Sequence, residues 1–148
     1  MVDFSRIPLS VHENDTLFKL YLSDLGLFWY LARVEINNLL DVNYKDDLTG
    51  ILAENYFACE LTSRNIPLRY WKGKRSAEVD FLIEKQNEII PIEVKAGVRV
   101  SSESLNIYRE NYKPKISYRI SAKNFGLDNG IKSIPLYAVF CIDKDNIK

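Results

Sequence analysis

Residues 78–97, EVDFLIEKQNEIIPIEVKAG, hold two apolar runs separated by Gln86-Asn87-Glu88. Short apolar runs on either side of a tight polar turn read as strands that can pair as a β-hairpin, and a hairpin needs a larger sheet or a helix to be stable. A fold built on a sheet is expected. Side chains alternate across a strand. In Glu78–Glu84, Val79, Phe81 and Ile83 are expected on one face, with Asp80 and Leu82 on the other. In Ile89–Lys95, Ile90, Ile92 and Val94 form an apolar face, and Glu93 and Lys95 point together to the opposite one. If the two runs pair, Asp80, Glu93 and Lys95 converge on one side of the sheet.

The rest of the chain supplies helices around those strands. Leu17–Leu22 reads as a strand running into Ser23-Asp24, a helix start, and the oily helix LGLFWYLARVE that follows is expected to be largely buried. A short helix is expected around Ile36–Val42, and another from Gly50 to Arg64, capped by Asp47 or Thr49. Leu68–Lys72, Glu78–Glu84 and Ile89–Lys95 suggest a three-stranded meander. Ser101-Ser102-Glu103 opens a helix to about Lys113, which Pro114 stops. Ile116–Ser121 reads as a strand, Lys123–Lys132 as a loop and Pro135–Ile142 as a final strand. The expected class is α/β, a mixed central sheet flanked by helices. Residues 1–16 contain no complete element and read as a tail, or the remnant of a preceding domain, ahead of a domain at 17–148.

At 148 residues the chain fits one domain with a real core. Its 20 basic and 20 acidic residues cancel, so no global field draws it to nucleic acid or a membrane. No apolar run approaches the roughly 20 residues of a membrane span, and MVDFSRIPLS lacks the pattern of a signal peptide. A cytoplasmic protein is expected. Cys59 and Cys141 match no metal-ligand spacing and read as small core residues in a reducing compartment. His12 is the only histidine, which excludes multi-histidine zinc sites, and its surroundings suggest a surface loop.

A fourth ionisable residue joins the strand set. Ile51, Glu54, Ala58 and Leu61 follow the spacing of a buried helical stripe, so Glu54 interrupts an apolar face. An unpaired buried carboxylate costs several kcal/mol or is driven to protonate, and three of them with a lysine suit a hard divalent ion. Mg²⁺ prefers oxygen ligands and keeps several waters when one or two carboxylates hold it. Such an ion polarises a phosphodiester and activates an attacking water, while a lysine two residues from a ligand can orient that water or neutralise the transition state. The plain alternative is a Glu93–Lys95 salt bridge with Asp80 at a strand end.

An Asp thirteen residues before Glu-x-Lys, after a helical Glu, resembles the PD-(D/E)xK nuclease superfamily. Val79 stands where the motif's proline usually does. The strings KLYLSDLGLFWYL, GILAENYFACEL, YWKGKRSAEVDFLIE, IPIEVKAG and IPLYAVF, spanning roughly residues 17–142, resemble the C-terminal domain of unknown function that follows the AAA-type ATPase module in many bacterial and archaeal proteins. The resemblance implies a restriction-endonuclease-like core. It puts Glu54, Asp80, Glu93 and Lys95 at the catalytic positions, Asp80, Glu93 and Glu54 as ligands of Mg²⁺ or Mn²⁺, and an ATPase module as a partner. No G-x-x-x-x-G-K-[ST] loop occurs here, so the chain is not itself the ATPase.

Arg69-Tyr70-Trp71-Lys72-Gly73-Lys74-Arg75 interleaves four positive charges with two aromatics. Lys72, Lys74 and Arg75 are the candidate contacts to DNA or RNA phosphates, with Arg99, Arg109, Lys113 and Lys115 as extensions of the patch. A basic turn is equally a solvated surface. Three functions stay open: a Mg²⁺-dependent nuclease domain, a non-catalytic module that binds nucleic acid or protein for a linked ATPase, and a homodimer formed through Leu25–Leu31.

Overall fold

The computed structural model describes residues 1–33, 42–74, 76–97 and 103–142, with the side chains of 42–47 left out of the description. One edge of its main sheet is a hairpin. Strand β3 (Phe81–Lys85) pairs antiparallel with β4 (Glu88–Val94), Phe81 opposite Ile92 and Lys85 opposite Glu88. Gln86 and Asn87 close it with φ of 50° and 61°, the left-handed pair that a two-residue turn of matching twist requires. β5 (Ser117–Ser121) adds parallel to β4, and β7 (Ile131–Pro135) parallel to β5. The edge strand β6 (Gly126–Asp128) returns antiparallel on β7 through Asn129-Gly130. The order β3-β4-β5-β7-β6 makes a mixed sheet, and the expected α/β class holds.

Each face of the sheet has its own cover. Helix α2 (Val42–Thr62) and a 3₁₀ helix, Leu136–Cys141, pack on the face carrying Phe81, Ile83, Ile90, Ile92, Val94, Tyr118 and Ile120. The opposite face carries Leu82 and Ile131. It is covered by α3 (Glu103–Tyr112), through Leu105 and Tyr108, and by a small hairpin of β1 (Trp71–Lys72) and β2 (Glu78–Val79). Trp71, Tyr108 and Tyr112 stack edge-on or tilted, with ring centroids 4.8–5.8 Å apart, the preferred geometry of aromatic quadrupoles. Gly73 lies under the Trp71 indole, where a Cβ would collide with the ring.

Several expectations change. Glu78–Glu84 is two strands, because the chain bends at Asp80 and β2 and β3 enter different sheets. Val79 therefore packs with Leu82 on the α3 side, not with Phe81 and Ile83. The meander becomes two hairpins. Leu17–Leu22 is irregular, and the expected loop at 123–132 contains β6. The final strand ends at Pro135; Ala138, Val139 and Ile142 are buried at the spacing of a helix, which forms there instead and contains Cys141. Asp47 and Thr49 lie inside α2 and do not cap it. The helix expected at Ile36–Val42 falls outside the described residues, apart from Val42 at the start of α2, as do Arg99 and the Ser101-Ser102 helix start.

Helix α1 (Leu25–Ala32) begins as expected, the Asp24 side chain accepting from the Leu27 N–H at 2.8 Å. It buries none of its side chains, contrary to the expectation that it is core. Residues 1–16, read as a tail, carry a 3₁₀ turn at Leu9–His12 and bury Val2 and Leu9 in the α3-side core. Val2 bridges to Glu13 and Trp71, and Leu9 N–H donates to the Glu84 carboxylate. No helix among the described residues is long and apolar enough to cross a membrane.

Candidate functional site

The bend at Asp80 makes the site. β3 begins only at Phe81, so the Val94 N–H at the end of β4 has no β3 residue opposite it. The Asp80 carboxylate fills that place, accepting from Val94 N at 2.8 Å. This fixes Asp80 against the end of β4, beside Glu93. Burial first, and then the neighbouring Glu93 charge, push the Asp80 carboxyl up from 3.8 to about 7, against the opposing hydrogen bond from Val94.

Glu93 is 4% exposed. One of its oxygens accepts from Lys95 Nζ at 2.7 Å; the other, Oε2, is buried with no hydrogen-bond partner. A buried carboxylate oxygen in that state carries a desolvation cost that a bound cation or donor would relieve. Lys95 stands at the rim, 40% exposed. Burial works to lower its pKa, but the Glu93 hydrogen bond and the charges of Glu93, Asp80 and Glu54 outweigh it, and the ammonium is held above its usual range.

Glu54 arrives from α2. The buried stripe of that helix is Ala53, Phe57, Ala58 and Leu61; Ile51, expected in it, is exposed, and Glu54 flanks it half-buried. Glu54 already has partners. Its Oε1 accepts from Lys19 Nζ at 2.9 Å and from the Tyr21 hydroxyl at 2.6 Å. Lys19 also contacts Glu78 at 2.5 Å and Asp80 at 3.9 Å, and its ammonium lies 5.2 Å from the centre of the Tyr70 ring. Desolvation alone would lower the Lys19 pKa, but hydrogen bonds to Glu78 and Glu54 reverse that, so Lys19 stays charged. Burial, then the Glu54 hydrogen bond, raise the Tyr21 phenol far above its ordinary value, so it acts as a donor.

The four expected residues thus share one electrostatic neighbourhood, linked by Lys19 on one side and Lys95 on the other. They do not close into a coordination shell. Among the described residues no three His, Cys, Asp or Glu side chains are placed to hold a metal ion, and the ammonium of Lys19 stands among Glu54, Glu78 and Asp80.

Lys19, Tyr21 and Glu78 belong to the site and were missed by sequence reasoning. The available signal was Lys19 inside the apolar run Leu17–Leu22, the same anomaly that marks Asp80. Next to Glu54 on α2, buried Asn55 pairs with the Leu22 backbone, accepting from its N–H at 2.8 Å and donating to its C=O at 2.9 Å. Helix α2 therefore grips residues 19–22 at two successive positions.

The basic turn is less open than its sequence suggests. Tyr70 and Trp71 are buried, which removes both aromatics as stacking platforms, and Arg69 pairs with Glu13 at 2.5 Å. Lys72 and Lys74 are exposed, whereas Arg75 lies outside the described residues. Lys72 stands opposite Glu78 in the β1–β2 register, so it shares a face with a member of the carboxylate group.

A family model described as a domain of unknown function, DUF4143, matches residues 49–139. The chain belongs to that family. No curated protein and no solved structure matches it. The DUF4143 match begins inside α2, takes in Glu54, Asp80, Glu93 and Lys95, and ends in the 3₁₀ helix after β7. Lys19 and Tyr21 lie before it.

Proposed function

We propose that this DUF4143 domain is a PD-(D/E)xK-like, Mg²⁺- or Mn²⁺-dependent nuclease domain acting on DNA or RNA in the cytoplasm, and that it serves a linked AAA-type ATPase module. The observation that carries the reading is the buried, partnerless Oε2 of Glu93 beside Asp80, whose carboxyl is raised by the same burial and by Glu93 itself. A buried carboxylate with an unpartnered oxygen beside an acid whose charge burial disfavours suits a hard cation that needs only one or two protein ligands. Asp80 and Glu93 would hold it; Glu54 is engaged by Lys19 and Tyr21. The ion, when bound, supplies Lewis acidity and an activated water.

The chain's own residues supply the rest. The Asp80–Val94 hydrogen bond fixes one ligand to the end of β4. The Lys95 ammonium, rim-exposed and kept charged by Glu93, is in place to donate to a phosphate oxygen. Lys72 and Lys74 offer phosphate contacts on the exposed β1 hairpin. The free thiols of Cys59 and Cys141 suit a reducing compartment. The test is cleavage of single- and double-stranded DNA and RNA with Mg²⁺ or Mn²⁺. Asp80→Ala and Lys95→Ala should each abolish it, and full activity in either variant rejects the site.

A second reading is favoured by Lys19. An ammonium within reach of Glu54, Glu78 and Asp80 neutralises part of the cluster as a metal would, which suits a non-catalytic module that binds nucleic acid or protein. Titration calorimetry separates the two: no heat of Mn²⁺ binding at millimolar concentration, with partner binding intact, selects the module. The exposed apolar side chains of α1 suit self-association, which light scattering reads directly.

A further inference from the structure

Residues 17–22 alternate with the wrong sense for a buried strand. Phe18 and Leu20 are 77% and 83% exposed, while Lys19 and Tyr21 turn inward. With Phe18 and Leu20 left in water, the segment's apolar anchor is the Tyr21 ring on Phe81. Its other fastenings are polar: Lys19 and Tyr21 on Glu54, and the Leu22 backbone on Asn55. The segment also divides two surface clefts. One, about 100 Å³, is lined by Lys19, Tyr21, Tyr70 and Asp80; the other, about 320 Å³, by Lys19, Tyr21, Glu54 and Asn55. Lys19 and Tyr21 form the wall between the Asp80 side and the Glu54 side of the carboxylate group.

We infer that Lys19 is the resident counter-ion of this site, in competition with a divalent cation for Glu54 and Asp80, and that residues 17–22 are the strap it fastens. The inference rests on the metal-binding reading above. Its warrant is separate, since an ammonium and a divalent ion seek the same oxygens and a carboxylate oxygen that accepts from both Lys19 and Tyr21 is a poor ligand. With Lys19 fastened, Asp80 and Glu93 alone face an incoming ion. With it withdrawn, Glu54 joins them and the two clefts become continuous.

Titration of the full chain with MnCl₂ tests this, comparing the wild type with Lys19→Gln and Tyr21→Phe. Lys19→Gln should bind Mn²⁺ about tenfold more tightly, equivalent to about 1.4 kcal/mol, and Tyr21→Phe should shift affinity the same way by less. A second readout needs no variant at position 19: acylation of the Lys19 amine, followed by peptide mass spectrometry, should be slow in the metal-free wild type and faster under saturating Mn²⁺. Equal or weaker affinity in Lys19→Gln, beside a wild type that binds, overturns the counter-ion role and leaves the metal reading standing. So does Lys19 acylation that Mn²⁺ leaves unchanged. Absence of Mn²⁺ binding in wild type and both variants overturns the metal reading and this inference together. If Lys19→Gln fails to fold by circular dichroism, Tyr21→Phe, which keeps its ring on Phe81, and the acylation rate decide.

Discussion

Asp80→Asn replaces a carboxylate by an amide whose oxygen can still accept from Val94 N–H, so it removes charge while keeping the strand-end contact. The Asp80 carboxyl titrates at about 7 in the fold, against an ordinary value of 3.8. The folded state therefore holds a proton that the unfolded chain has given up, and stability falls as pH rises through that window. At 1.36 kcal/mol per pKa unit, the whole window is worth about 4 kcal/mol, of which about 2–3 kcal/mol is lost between about pH 5 and pH 8. For a domain of this size that corresponds to a Tm about 8 °C lower at the upper pH. The assay is thermal unfolding in chelator across that range, wild type against Asp80→Asn. The difference between the two reports Asp80 together with its coupling to Glu93, Glu54 and Lys19. The substitution should remove most of this slope and make the protein more stable than the wild type at the alkaline end. Parallel profiles for the two proteins would refute the claim that burial and Glu93 hold a strained charge at position 80.

The same physics predicts that Glu93→Gln lowers the Asp80 midpoint from about 7, because the second-largest contribution raising it is gone; carboxyl ¹³C chemical shifts against pH measure this. Asn55→Ala strips the Leu22 N–H of its acceptor and leaves the Leu22 C=O only the Cys59 thiol, 3.2 Å away; it should cost about 1–3 kcal/mol in denaturant unfolding, with residues 19–22 gaining hydrogen exchange. Gly73→Ala should cost about 1–3 kcal/mol through the collision with the Trp71 indole, visible as a lower Tm and a shifted Trp fluorescence.

The hairpin was legible because its information is local. Two apolar runs, a polar turn and a period of two fix the β3–β4 register, and that register continues to set Asp80 across from Glu93. What the pattern cannot show is where a strand ends. Nothing in Glu78–Glu84 marks Asp80 as a bend, since Val79 and Phe81 are both apolar and both buried; only the separate cores tell that they face opposite ways. The helical run at Leu136–Cys141 escapes a sequence reading for a related reason. Six apolar or small residues suit either a strand or a turn of helix, and periodicity alone does not arbitrate at that length. Helix α1 fails differently. Its oiliness is real, but burial is a property of what packs on it, and none of its residues is buried among the described residues.

The site divides along the same line. Asp80, Glu93 and Lys95 announce themselves as charges inside apolar strands, and Glu54 as one beside an apolar helical stripe, so local pattern suffices to nominate them. Lys19 and Tyr21 sit in the run Leu-Phe-Lys-Leu-Tyr-Leu, which reads as a strand with Phe18, Leu20 and Leu22 sharing one face and Lys19 on the other. Lys19 and Tyr21 turn inward because α2 offers Glu54 and Asn55 at the point where the segment passes and Phe81 offers its ring to Tyr21, while Phe18 and Leu20 stay exposed. A charge in an oily run has two explanations, an exposed face or a buried partner. Choosing between them requires knowing which carboxylates lie across the fold. That knowledge is tertiary, which is why an acidic group could be read from its own strands while the cation facing it could not.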